Sequence, residues 1–316
     1  MPWLRSARLS AMRPYLFVAA LLASSGCGAA VRAETFSAPT GDLGADLDLD
    51  PERRARLHGE MSYHTAGVDP FLNLPGTQYH YLMWTFGAGF KVSDQLELEV
   101  TLPVGGVALS NNLGSRDSFG AANLTLGLNY FSALGRAVRL KVGGALAFGP
   151  WNDSSGALTE EGTALTLAGL STHGYQNLWQ YQAGAVHLVA PARVELGDTV
   201  QLTGDASMHL MVPTLGNGAD ARLIVVLAPG VAFWTSDTVV LGARMPLQFV
   251  SNNDGPQMIV PDNDGFQMSL EPFIRVALGE KGFLGSRFTM HFDEPLGFSF
   301  DTGGFWGLHL AAGASF

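Results

Sequence analysis

The last eleven residues of the chain, Trp306 to Phe316, constrain it most. Trp306, Leu308, Leu310, Ala312, Ala314 and Phe316 fall on one parity, and Gly307, His309, Ala311, Gly313 and Ser315 on the other. A period of two belongs to an extended strand, whose successive side chains point to opposite faces. The apolar row runs to the final residue, an aromatic, so something apolar must cover the strand to its very end. A sandwich strand packed on a second sheet and a strand facing lipid both meet that demand. The rest of the chain has to choose between them.

Alternation recurs through the sequence. The first strand is read at 55–64, with Leu57, Met61 and Tyr63 opposite His58, Glu60 and Ser62. A second spans 78–92 and ends in a tight Ser93-Asp94-Gln95 turn. The third, 96–108, sets Leu96, Leu98, Val100, Leu102 and Val104 against Glu97, Glu99, Thr101 and Pro103. Further strands are read at 121–131, 138–148, 178–189 (of unfixed parity), 200–212, 222–233 (apolar on both faces), 239–250, 268–278, 284–292 and 306–316. Twelve strands result, an even number. Connections at 93–95, 132–137, 191–198, 235–237 and 279–283 are short, and they alternate with mostly longer ones rich in Gly, Asn and Asp at 65–76, 109–118, 149–174, 213–221, 251–267 and 293–304. Short turns at one end and long loops at the other, with both chain termini on the turn side, are the habit of a transmembrane barrel. The apolar rows have the length a tilted strand needs to cross a bilayer.

Composition agrees. Hydrophobic residues make up 47% of the 316 and charged ones only 15%, with 39 glycines and lysine only at positions 91, 141 and 281. An average soluble domain is roughly 25% charged. Arg5, Arg8 and Arg13 precede an apolar run, Tyr15 to Ala23, and Val31-Arg32-Ala33 offers small residues for cleavage, so residues 1–33 read as a signal peptide. The apolar run is too short for a membrane-spanning helix. The single cysteine, Cys27, lies in this segment, and Ser24-Ser25-Gly26-Cys27 is similar to a lipoprotein box with Ser where that pattern has Leu, so lipidation stays open beside cleavage. Residues 34–53, with Asp42, Asp46, Asp48, Asp50 and Glu52, read as an acidic periplasmic segment and 54–316 as the barrel. Residues 1–33 hold four arginines and no acid; the remainder carries 14 basic and 28 acidic residues, a net charge of −14. Nucleic acid is therefore excluded as a partner, since phosphate binding needs a basic face.

The terminal strand with phenylalanine last and apolar residues at every second position before it resembles the C-terminal signature of bacterial outer-membrane β-barrels. That resemblance implies an all-β, antiparallel, up-and-down transmembrane barrel of about twelve strands in the bacterial outer membrane. Outer-membrane lipid and the barrel-assembly machinery are its implied partners, the latter reading Phe316 as an assembly signal. Aromatics fit two interfacial bands: Phe90, Tyr130, Phe233 and Phe316 at the turn end, and Phe148, Trp179, Phe249, Phe292 and Trp306 at the loop end. Val92-Ser93-Asp94-Gln95-Leu96-Glu97-Leu98-Glu99, Leu102-Pro103-Val104, Phe119-Gly120 and Asn123-Leu124-Thr125-Leu126-Gly127-Leu128 are similar to the transporter-like barrels grouped with the meta-pathway of phenol degradation. The likeness covers residues 80–150 and departs from that group's Gly-Asp at Gly120-Ala121.

With the apolar parity toward lipid, the other parity lines the interior. This places Glu60, Glu97, Glu99, Arg139, Lys141, Asp205, His209, Arg244, Glu271, Arg275, Arg287, His291 and His309 inside as candidate pore-lining residues. Counted from the turns, Arg244 and Glu271 stand at nearly the same height on neighbouring strands and are expected to pair, with Glu97 and Glu99 offsetting Arg275 and Arg287 across the lumen. The inner glycines 87, 89, 127, 143, 307 and 313 are expected to leave space. Catalysis is not expected: the His-x-Ser-Asn-Gly run of phospholipase-type barrels is lacking, Ser171-Thr172-His173-Gly174 has no partner spacing, and Asp205 with His209 falls short of the omptin-type protease set. Asn252-Asn253-Asp254-Gly255 and Asp262-Asn263-Asp264-Gly265 are turn chemistry without the later acid of a calcium loop, so neither a metal nor a cofactor is expected. Two functions remain: a channel or uptake pore for small solutes, or a structural or adhesion barrel with a plugged lumen and binding loops. A surface hydrolase ranks behind both.

Overall fold

A computed structural model describes residues 54–67, 78–111, 114–121, 124–134, 138–148, 185–196, 200–213, 222–250, 266–279, 281–292 and 306–316. The leader, the acidic segment, loop 149–174, Trp179 and both Asx-Gly clusters lie outside them. Among these residues fourteen strands follow one another: β1 (Ala55–Gly67), β2 (Gln78–Lys91), β3 (Leu96–Asn111), β4 (Gly114–Ala121), β5 (Leu124–Leu134), β6 (Val138–Phe148) and β7 (Ala185–Leu196). Then come β8 (Val200–Pro213), β9 (Arg222–Trp234), β10 (Val239–Arg244), β11 (Leu247–Val250), β12 (Phe266–Leu278), β13 (Gly282–His291) and β14 (Trp306–Ser315).

Successive crossings pair antiparallel, and β1 pairs with β14 from Arg56↔Ser315 to Thr65↔Trp306, so the pairings close into a ring. β4 and β5 both pair with β3 and form two halves of one crossing; β10 and β11 both pair with β9 and β12 and form another. Twelve crossings result, as the alternation predicts. Closure reaches the last residue: Phe316 N donates to Ala55 O at 2.7 Å, and Arg54 N to Phe316 O at 2.7 Å. In lipid every backbone donor needs a partner within the protein, which a closed ring supplies.

Two boundaries differ from the sequence reading. The sixth crossing is β7 at Ala185–Leu196, not 178–189, and it runs straight through Pro191. Proline has no N–H to donate, and the β6–β7 register skips from Val142↔Ala192 to Ala145↔Val189 around it. The ladder tolerates that gap, whereas a sequence reading ends a strand at proline. The expected loop 109–118 is a hairpin extension, with Asn111 opposite Gly114 and Val104 opposite Ala121. Strands that project past the membrane need no apolar row and so carry no alternation to read.

Polarity is inverted relative to a water-soluble protein. Leu57, Phe86, Phe90, Leu98, Leu128, Leu202, Phe233, Ile274, Leu310 and Phe316 are exposed, with Leu98 at 50% and Phe90 at 57%. Arg56, Glu60, Glu97, Lys141, Arg244, Glu271, Arg287 and His309 are buried, with Glu271 at 0%. Only a barrel with lipid outside can place its residues in this way: a charge on the lipid face costs about 2–4 kcal/mol at the midplane. Near the loop end Tyr63, His80, Trp306 and Phe288 form an outer aromatic cluster. Tyr63 Oη lies 2.8 Å from His80 Nδ1, and Phe288 stacks on Trp306 at 5.7 Å. The tight β12–β13 turn is made at Gly279, whose φ of 63° favours glycine.

Candidate functional site

The interior is built from the polar parity of nearly every strand, and its charges organise into two clusters. In the first, Arg56 on β1 reaches over β2 to β3, donating to Glu97 Oε1 at 2.7 Å and lying 3.3 Å from Glu99 Oε2. Glu99 also accepts from Asn129 on β5 at 2.6 Å and from Lys141 on β6 at 3.5 Å. Glycine on the intervening strand makes this reach possible. A Cβ at Gly89 would strike the Arg56 and Glu97 side chains, and one at Gly87 would strike the His58 ring.

The second cluster centres on Glu271 of β12. Arg244 of β10 stands directly opposite in register and bonds Glu271 Oε2 through Nε and a terminal nitrogen. Arg287 Nε of β13 lies 3.5 Å from the same oxygen, and Thr289 donates to Oε1 at 3.0 Å. Each arginine has a second acid on its far side. Arg244 is 3.5 Å from Asp205 on β8, and Arg287 donates to Glu60 on β1 at 3.2 Å. Glu60 further holds Ser62 and His309 Nδ1, the latter at 2.8 Å, and the His64 ring packs edge-on against His309 at 4.8 Å. Toward the turn end Ala232, Val240 and Phe273 form a small apolar patch with Trp234, and the Arg275 guanidinium lies 4.2 Å over the Phe283 ring.

Of the expected interior residues, Glu60, Glu97, Glu99, Lys141, Asp205, Arg244, Glu271, Arg275, Arg287, His291 and His309 have described inward side chains. Arg139 and His209 occupy inner register positions, opposite Glu195 and Val189, and their side chains are outside the description. The Arg244–Glu271 pair forms as the register predicts. Two expectations are corrected. Glu97 and Glu99 do not offset Arg275 and Arg287 across the lumen; they are taken up along the wall by Arg56 and Lys141, which are nearer. Four of the six inner glycines, 87, 89, 307 and 313, do not leave open space. His58 covers Gly87, Arg56 and Glu97 cover Gly89, His64 covers Gly307, and Phe283 covers Gly313. Arg56, Lys91, His64 and Thr289 belong to the interior without having been singled out, although parity alone assigns each of them there.

The described inner side chains thus carry six cations (Arg56, Lys91, Lys141, Arg244, Arg275, Arg287) and five acids (Glu60, Glu97, Glu99, Asp205, Glu271). All eleven lie between mid-height and the turn end. Among the described residues, the loop-end half presents hydroxyls, an amide and imidazoles instead: Ser62, His64, Ser207, Gln248, Ser269, Thr289, His291 and His309. Among the described residues no group of three or more His, Cys, Asp or Glu gathers as a metal would require. Chemically, the interior can bind water and polar solutes and can screen a passing charge, since paired acids and bases line it.

The sequence matches no protein-family model, and no curated protein matches it. Solved structures do. An outer membrane channel from Pseudomonas putida F1 superposes with a TM-score of 0.57 at 13% identity, covering 89% of this chain and 100% of that one. The translocator domain of the autotransporter NalP from Neisseria meningitidis matches with a TM-score of 0.48 at 12% identity, over 85% of this chain and 91% of that one. Ring closure, an apolar exterior, an ion-paired interior and the shared architecture lead to one statement. The chain has the fold of a closed, lipid-facing β-barrel, as that outer membrane channel does.

Proposed function

We propose that the protein is a channel for small solutes, held here in a closed state, and that it performs no catalysis. The observation that carries this reading is the charged interior itself. A barrel that served only as a scaffold could fill its inside with apolar side chains, which commonly match or exceed buried ion pairs in stability. Eleven charges kept inside make sense where water and solutes pass. The P. putida barrel of the same architecture is an outer membrane channel, and that use of the fold is the one carried over here. Among the described residues, the near-balance between six cations and five acids supports weak ion selectivity.

The second reading, an adhesion or structural barrel with a plugged lumen, is favoured by the burial of the charges, Glu271 being 0% and Arg275 1% exposed. Planar-bilayer recording on the purified full chain separates the two. Discrete conductance steps with a reversal potential close to zero in a salt gradient are expected. Silence at every voltage, from protein shown to be folded, would leave the plugged barrel standing.

A further inference from the structure

Three prolines fall within three residues of one another in register on three neighbouring crossings. Pro229 on β9 faces Met245, whose N–H it accepts at 2.9 Å; Pro246 separates β10 from β11 and accepts from Ser269 N at 3.0 Å; Pro272 on β12 stands opposite Ala243. In an antiparallel ladder a residue's N–H and C=O point to the same neighbour. Each proline therefore deletes one donor, from the β9–β10/β11, β11–β12 and β12–β13 seams respectively. The last deletion is visible in the register, which breaks between Leu270↔Met290 and Phe273↔Arg287.

Glu271 lies at the centre of this weakened wall, between Leu270 and Pro272. Its carboxylate ties β12 to β10 through Arg244 and to β13 through Arg287 and Thr289, across two of the three seams. The two arginines also have somewhere else to go. Asp205 already lies 3.5 Å from Arg244 and Glu60 accepts from Arg287 at 3.2 Å, so once Glu271 lets go each arginine is held only by these acids, in opposite directions around the wall. Two discrete arrangements of the same charges are thus available, one with the arginines gathered on β12 and one with them drawn apart. Without the shared carboxylate, the guanidinium groups of Arg244 and Arg287 would also repel each other.

Building on the channel reading, we propose that Glu271 is the latch of a movable wall. The seam between β12 and β13 at Pro272 loosens when Glu271 releases its arginines, and the interior opens at that height. Side-chain ties hold the wall where backbone ties are missing, so the wall is firm while latched and yields when released. Elsewhere in the ring β1, β2 and β3 are laddered without a break from Gly67↔Gln78 to Lys91↔Glu97, and the gaps at Pro103 and Pro191 stand singly, so the group of three prolines marks the β9–β13 side as the one that yields.

The test is single-channel recording on the full chain in planar bilayers. Glu271→Gln is expected to raise the open-to-closed ratio by about tenfold, the shift that one charge-assisted hydrogen bond supports. Adding Pro272→Ala, which returns a donor to the β12–β13 seam, should bring the ratio back toward that of the parent. A cysteine pair, Leu270→Cys with Met290→Cys, joins residues opposite each other on the lipid face, at a Cα spacing of about 5.5 Å that a disulfide accepts. Oxidation should abolish the openings and reduction restore them. Parent and Glu271→Gln channels with identical gating would overturn the latch and leave the channel reading intact, as would an oxidised pair that gates normally. If parent and variants are all folded and all silent, the channel reading fails and the latch with it. Should Glu271→Gln fail to fold, the cysteine pair decides alone.

Discussion

Gly89 and Gly144 are the same residue on opposite faces of the wall, and they should respond oppositely to one methyl group. At Gly89 a Cβ meets Arg56 and Glu97, whereas at Gly144 it meets nothing within 4 Å. Gly89→Ala should break the Arg56–Glu97 contact and lower stability by about 1.5–3 kcal/mol, the scale of a hydrogen bond to a charged group. Gly144→Ala should be neutral or stabilise by about 0.4–1 kcal/mol, because it mainly restricts the unfolded chain. Urea titration of the barrel in lipid vesicles would measure both, and a Gly89→Ala protein as stable as the parent would show that the arginine can reroute. These two sites also mark a limit of sequence reading. Parity places Gly89 inside, but that Arg56 lies across it depends on a neighbour thirty-three positions away in sequence and adjacent only in the sheet.

At the scale of the strand, alternation is legible wherever lipid lies on one side and polar groups on the other, as in β3 and β14. It fails where that contrast is missing. β7 hides behind Pro191, and β4 projects beyond the apolar band. The height of Arg244 against Glu271 is readable because both are counted from short turns; the sharing of Glu271 between two arginines is not, since it needs the register of three strands at once. The terminal strand supports a direct prediction. Deleting Phe316 removes the bonds to Ala55 and Arg54 that seal β14 onto β1, along with the last member of the lipid-facing row. The truncated chain should accumulate in the periplasm, degraded or aggregated, as read by membrane fractionation. Normal amounts in the outer membrane would mean the terminal residue is dispensable. In the middle of the wall, Leu128→Arg should cost about 2–4 kcal/mol of folding free energy in lipid, and an unchanged urea midpoint in vesicles would place that side chain elsewhere than at the lipid face.

The whole molecule is inside-out, and that polarity sets its bulk behaviour. Purified protein should give a β-dominated circular dichroism spectrum in detergent and migrate on gels differently before and after boiling. A helical spectrum, or solubility without detergent, would contradict the architecture. The ring also imposes an order on construction. Glu60 sits on the first strand, yet its partners Arg287 and His309 lie 227 and 249 positions further along the chain. Until the last strands arrive, Glu60 borders an open edge as an acid without its base, an obstacle to burying that edge against another barrel or another copy. Only the correct final strands bring the arginine and imidazole that relieve it. The same carboxylate that lines the finished interior can thereby act during biogenesis as a proofreader, penalising every closure except the one that makes a complete ring.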